Sequence, residues 1–141
     1  MKLISHRGNL NGPSSEIENT PAQILKVCDL GFDCEIDVWY ENGFYLGHDF
    51  PNYPISEKFL ENNRLWCHAK NLAALNRMIS NKKIHCFWHE NDLCSITSGG
   101  YIWSFPTVIP SNNSTIFVDL RPDWKSKNYS CVGICSDYLM P

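Results

Sequence analysis

Asp33-Cys34-Glu35-Ile36-Asp37-Val38-Trp39 is the stretch on which the reading of this chain turns. Its β-branched and aromatic residues favour a strand, and the side chains of a strand alternate between two faces. One face carries Cys34, Ile36 and Val38, which suits packing beneath helices. The other carries Asp33, Glu35 and Asp37. Acids on an otherwise buried face are costly unless they are paired, solvated or bound to a metal. Tyr40-Glu41-Asn42-Gly43 follows as a hairpin turn, so an edge strand with one wet face would give the same pattern. Of the two readings, a functional face is preferred.

Working outward, further β-rich runs occur at Lys2–His6, Phe44–Gly47, Leu65–Lys70, Ile84–His89, Gly100–Phe105, Thr115–Leu120 and Val132–Asp137. Two helices are legible between them. Thr20-Pro21 opens the first, with a capping residue before a proline at the first helical position, and Gly31 stops it. Ile24, Val27 and Cys28 fall on one of its faces. Asn71 caps the second, whose apolar positions are Leu72, Leu75, Met78 and Ile79. A third, short helix is expected around Asn91–Ile96, and between Ser104 and Ser114, Pro106, Pro110 and the Asn/Ser cluster read as loop. Strands alternating with helices in the first half imply a parallel sheet with crossover helices, in one α/β domain. The second half keeps strands but loses most helices.

The chain has 141 residues, a formal charge of −3, 19% charged and 13% aromatic residues. That balance excludes a disordered chain. It gives no support to a nucleic-acid partner, because no basic excess exists to neutralise phosphates. No apolar run reaches the roughly 18 residues of a transmembrane segment. Met1–Arg7 lacks the apolar core of a secretory signal. Seven cysteines, an odd number without Cys-x-x-Cys spacing, are expected as free thiols in a cytoplasmic protein. A homo-oligomer stays open.

Other strands repeat the polar theme at their C-terminal ends, where ligands bind in parallel α/β folds. His68 and Lys70 share a face, and Asp137 ends the last strand. His85, Phe87 and His89 share a face too, but the two histidines read as satisfied structural residues. Glu90 and Asp92 suit a helix N-terminal turn. The five tryptophans read as core residues. Trp103 or Tyr138, near strand ends, can also form an apolar wall around a ligand.

Four motifs fall in order: His6-Arg7-Gly8, Glu18-Asn19-Thr20, Glu35-Ile36-Asp37 and His48-Asp49. Together they resemble the glycerophosphodiester phosphodiesterase family, within the phospholipase-C-like phosphodiesterase superfamily. The likeness is dense over the first 50 residues. Beyond them it rests on Leu65–Asn71 and on Gly133–Tyr138, which is similar to the family's closing strand. The resemblance implies a hydrolase of lipid metabolism acting on a small-molecule phosphodiester. It implies His6 and His48 as the catalytic pair, Arg7 and Lys70 as phosphate ligands, and Glu35 and Asp37 as metal ligands. Glu18, Asn19 and Asp49 would support these groups. A divalent cation, magnesium or calcium, is the implied cofactor.

The chain departs from the family in two places. The family's acid-x-Lys pair is His68-Ala69-Lys70, so the third metal ligand is His68, comes from elsewhere or is missing. A histidine there admits manganese or zinc. Phe50–Arg64 is also too short for the family's insertion that recognises glycerol. The implied fold is a (β/α) TIM-like barrel, which normally takes about 250 residues. The expectation is therefore a reduced, compact barrel spanning 1–141, with several helices shortened or missing. The competing functional readings are a catalytically weakened relative that binds a phosphorylated ligand without turnover, and a plain interaction protein.

Overall fold

A computed structural model describes residues 1–106 and 113–141 of the chain. Pro110, expected in a loop, lies outside the described residues. The long strand begins where it was expected: β2 spans Asp33–Tyr40. It pairs in parallel with β1 (Lys2–His6) on one side and with β5 (Leu65–Ala69) on the other. β5 pairs with β6 (Cys86–Phe87). On the far side of β1 come β10 (Gly133–Ser136), β9 (Thr115–Val118) and β8 (Ile102–Ser104), all parallel.

Antiparallel strands complete this sheet. After the turn at Glu41–Gly43, where Asn42 takes a positive φ of 55°, β3 (Phe44–Leu46) returns along β2. β4 (Tyr53–Ile55) then pairs with β3 at the edge. Its central Pro54 hid it in the sequence, since proline is tolerated in a sheet chiefly at an edge. β7 (Cys94–Ile96) pairs antiparallel with β8. It stands where a short helix was expected, so Glu90 and Asp92 do not open a helix. β6 is shorter than the expected Ile84–His89, because the chain leaves the ladder on both sides of Cys86–Phe87.

The helices are few and short. α1 (Pro21–Asp29) buries Ile24, Val27 and Cys28 as its spacing requires. Thr20 occupies the cap position, but its hydroxyl donates to the Ile17 carbonyl instead of capping. α2 (Glu57–Leu60) is a single turn capped by Ser56. α3 (Leu72–Ser80) is capped by the Asn71 side chain, which accepts from the Ala74 N–H at 2.9 Å. It buries Ala74 and Met78, while Leu72 and Ile79 stay exposed.

The expected compact (β/α) TIM-like barrel, even with helices shortened or missing, is therefore not what forms. Among the described residues the fold is a mixed sheet of ten strands with three short helices. The reason lies in the connections. A parallel crossover needs room for a helix, whereas an antiparallel return needs only a tight turn. Helices of two or more turns stand between β1 and β2 and between β5 and β6. Elsewhere, among the described residues, hairpin strands, one helical turn and a 3-10 turn at Trp124–Ser126 do the connecting.

The sheet packs on both faces. Helices α1 and α3 cover Cys34, Ile36, Val38, Cys67 and their neighbours. On the opposite face Ile4, Trp66, Phe87, Trp103, Ile116 and Cys135 form a second core. Phe87 on β6 and Trp103 on β8 lie 4.6 Å apart between ring centroids, although five strands separate their own in the sheet order. The sheet is thus curled, and this face is concave. Beyond one end of this second core, the C-terminal end of the parallel strands, lies an open cavity. No described helix is long and apolar enough to cross a membrane.

Candidate active site and metal centre

The register of the parallel strands assembles the polar groups. His6 pairs with Glu35, and Asp37 pairs with His68, so four ionisable residues from three strands stand side by side at their C-terminal ends. Ser5 pairs with Ser136, which brings Asp137 beside His6. The β3 return carries the chain back over Asp37, where the Gly47 N–H donates to the Asp37 carbonyl at 3.1 Å. His48 follows directly.

All of these ionisable groups but Asp137 line one cavity of about 300 Å³, at the small end of the range for ligand pockets. Of the residues singled out from the sequence, His6, Arg7, Glu35, Asp37, His48, His68 and Lys70 all line it. Glu18, Asn19 and Asp49 line a neighbouring cavity of about 230 Å³, which shares His48 with the first.

Glu35, Asp37 and His68 offer ligand atoms that lie within 4.8 Å of one another. His68 Nδ1 is 3.6 Å from Glu35 Oε1 and 3.4 Å from Asp37 Oδ1. Its Nε2 is 2.8 Å from the His89 carbonyl, which only accepts, so Nε2 carries a proton and Nδ1 turns to the acids. That arrangement is usual for a metal-binding histidine. Both acids are buried, and Glu35 Oε2 has no hydrogen-bond partner. A buried carboxylate oxygen without a partner is expensive, and a divalent cation at this place would satisfy it. The donor set therefore fits such an ion. In the protein alone, burial pulls the His68 pKa down, but the bonds and charges of Asp37 and Glu35 outweigh it and raise it to about 9. Burial works against the Asp37 carboxylate, yet His68, Arg7 and Asn19 hold it well below the usual range.

Asn19 positions Asp37 from both sides. Its amide donates to Asp37 Oδ2 at 2.9 Å, and its Oδ1 accepts the Asp37 N–H at 2.9 Å. Arg7 Nε lies 3.2 Å from Asp37 Oδ2 without good hydrogen-bond alignment, and Lys70 Nζ lies 3.8 Å from Asp37 Oδ1. Glu18 accepts from Asn9 at 2.9 Å and lies 3.6 Å from Arg7.

The two histidines differ in setting. His6 is largely buried, with Nδ1 2.9 Å from Asp137 Oδ1. An ionised carboxylate only accepts, so Nδ1 carries the proton and Nε2 is left with a lone pair. Burial lowers the His6 pKa, but the Asp137 bond and the charge of Glu35 leave it raised. His48 is exposed on its loop, 2.7 Å from Asp49 Oδ1.

Asp137 was legible only as the acid ending the last strand, and its role as the partner of His6 comes from the β1–β10 pairing. His89, set aside as a structural histidine, lines the cavity together with Glu90. Its Nδ1 is 3.0 Å from Ser95 Oγ, its Nε2 has no hydrogen-bond partner, and burial pushes its pKa down. Sharing a strand face with Phe87 was its only signal. His85 lies at the other end of that face, 2.7 Å from Thr97 Oγ1 and away from the cavity. Trp103 lines the cavity as a wall, with Phe105, Val118 and Leu120. Tyr138 does not: its ring packs by Gly12. All seven cysteines are free, and none lines this cavity. Comparison of the chain with protein-family models, curated proteins and solved structures finds no match.

Proposed function

We propose that this protein is a metal-dependent phosphodiester hydrolase, resembling glycerophosphodiester phosphodiesterases. The observation that carries the reading is convergence. Seven residues spread from position 6 to position 70 line one cavity, and each is of a type that phosphodiester cleavage needs. Their motif resemblance supports the same reading.

Glu35, Asp37 and His68 would hold a divalent cation, which when bound offsets the charge of the diester and polarises a phosphoryl oxygen. Two carboxylates with one imidazole suit manganese or zinc better than calcium. Arg7 presents a planar fork to phosphate oxygens, and Lys70 adds a point charge. His6, held by Asp137 in the tautomer with Nε2 free, accepts the proton of the attacking hydroxyl or water. His48, at the boundary of the two cavities, donates a proton to the leaving alkoxide.

The experiment is hydrolysis of bis(4-nitrophenyl) phosphate by the purified protein, with and without added Mn²⁺. Metal-dependent release of nitrophenol is expected, with loss of at least two orders of magnitude in His6→Ala and Glu35→Ala, a typical range for acid/base groups. One observation favours a second reading. His68 Nδ1 already lies 3.6 Å from Glu35 Oε1 and 3.4 Å from Asp37 Oδ1, so the imidazole pairs with both acids, as it would in a relative that binds a phosphorylated ligand without turnover. Binding of the diester without hydrolysis across a panel of divalent metals would establish that reading and end the first.

A further inference from the structure

The cavity is divided in its chemistry. On β1, β2 and β5 and after β6, the residues that face it are His6, Glu35, Asp37, His68 and His89. On the β8 and β9 side they are Trp103, Phe105, Val118 and Leu120, and the positions from these strands that line it carry no ionisable group. Trp103 is buried and belongs to the concave core. The other three are not sealed. Phe105 is 38% exposed, and Val118 and Leu120 are half-buried. Among the described residues, core packing accounts for Trp103 but not for three partly open apolar side chains opposite a cluster of buried charges. Apolar surface left open inside a concave site is surface that a ligand covers.

We propose that the substrate is a phosphodiester with one extended apolar substituent, which lies along Phe105, Val118 and Leu120 while the phosphate faces Arg7 and Lys70. This rests on the hydrolase reading above. The other substituent leaves past His48, into the neighbouring cavity edged by Ser15, Asn52 and Tyr53. Exposed Glu90 lines the first cavity as well, and a carboxylate there favours a singly charged diester over a doubly charged monoester.

The test uses methyl, butyl and hexyl 4-nitrophenyl phosphate with Mn²⁺, below their micellar concentrations. In cleavage the P–O bond to nitrophenol breaks, water supplies the new P–O bond, and the alkyl phosphate is retained. The value of kcat/KM is expected to rise by roughly two- to fourfold per methylene until the wall is covered, as burial of apolar area requires. Leu120→Ser is expected to remove most of that gain, mainly through KM. Equilibrium dialysis of dimethyl against hexyl methyl phosphate supplies a readout that needs no turnover. Hydrolysis of all three esters with no dependence on chain length overturns the apolar arm and leaves the hydrolase reading standing. No hydrolysis, with hexyl methyl phosphate bound more tightly than dimethyl phosphate, upholds the arm and overturns the hydrolase. Neither turnover nor preferential binding overturns both.

Discussion

Replacing Asn19 by alanine tests the inner workings of the site without touching Glu35, Asp37 or His68, the candidate metal ligands. β1 ends at His6, opposite Glu35, so two residues further along β2 the N–H of Asp37 has no strand to pair with. Asn19 stands in for the missing strand, accepting that N–H and donating to the same residue's carboxylate, both at 2.9 Å. It does so from a left-handed backbone, at φ 57°, which asparagine tolerates better than alanine. Alanine removes a bond to a charged group, worth about 1.5–3 kcal/mol, and leaves a buried N–H unsatisfied at about 1–3 kcal/mol. It adds about 1 kcal/mol of backbone strain. The parts overlap, and the expected loss is about 4 kcal/mol, a large share of the roughly 5–15 kcal/mol of a typical domain. Urea unfolding of the metal-free protein, followed by tryptophan fluorescence, measures it. Asn19→Gly relieves the strain alone and should lose about 1 kcal/mol less. Calorimetric titration with Mn²⁺ should show affinity falling about 10- to 100-fold in either variant, the usual effect of removing a ligand's support. An Asn19→Ala protein within 1 kcal/mol of wild type, or a glycine variant no better than alanine, would refute the reasoning.

Mn²⁺ at about 100 times its Kd should stabilise the wild type by about 2.7 kcal/mol, seen as a raised Tm. Glu35→Gln should lose the rise, and an equal rise in that variant would place the ion elsewhere. Gly47 sits at φ 153°, and a Cβ there would meet the Phe50 carbonyl oxygen at 2.1 Å. Gly47→Ala must therefore displace the loop that carries His48, and diester hydrolysis should fall by at least about tenfold, whereas unchanged kcat/KM would show that the loop's position is immaterial. Burial beside Trp66 lowers the His85 pKa from 6.5 to about 4. The unfolded chain then takes up this proton first, so the His85 contribution to stability is intact above pH 6.5 and is lost as pH falls towards 4. Allowing for partial solvent exposure, the loss is on the order of 2 kcal/mol. The difference in unfolding free energy between wild type and His85→Phe, measured from pH 7.5 to 4, should shift by that amount in favour of the variant, and a constant difference would rule the mechanism out.

The alternation of Cys34, Ile36 and Val38 with Glu35 and Asp37 was enough to place apolar side chains under helices and acids on the other face. Both assignments are geometric consequences of a strand, so they needed no knowledge of its neighbours. The Asn71 cap of α3 and the start of α1 at Pro21 were likewise legible locally, but Thr20 does not cap α1: its hydroxyl turned to Ile17. Strand β4 and strand β7 were not legible. One contains a proline, and the other is three residues long with no periodicity of its own. Each exists because an edge offered unpaired backbone groups, β3 for one and β8 for the other.

Local residue order thus determined the elements, their faces and the types of chemistry their ends carry. It determined Glu35, Asp37 and His68 as candidates, because a side chain's identity and the period of its strand are both written locally, whereas His6 was singled out only by the motif resemblance. The tertiary structure alone decided what joins them. The register of β1 with β10 gave His6 its partner Asp137, and curling of the sheet brought Phe87 against Trp103, across the strands between them. The short connections decided that antiparallel strands, rather than a ring of helices, would complete the sheet. Pairing energy is collected between segments far apart in sequence, and no stretch of the chain read by itself carries the register that results.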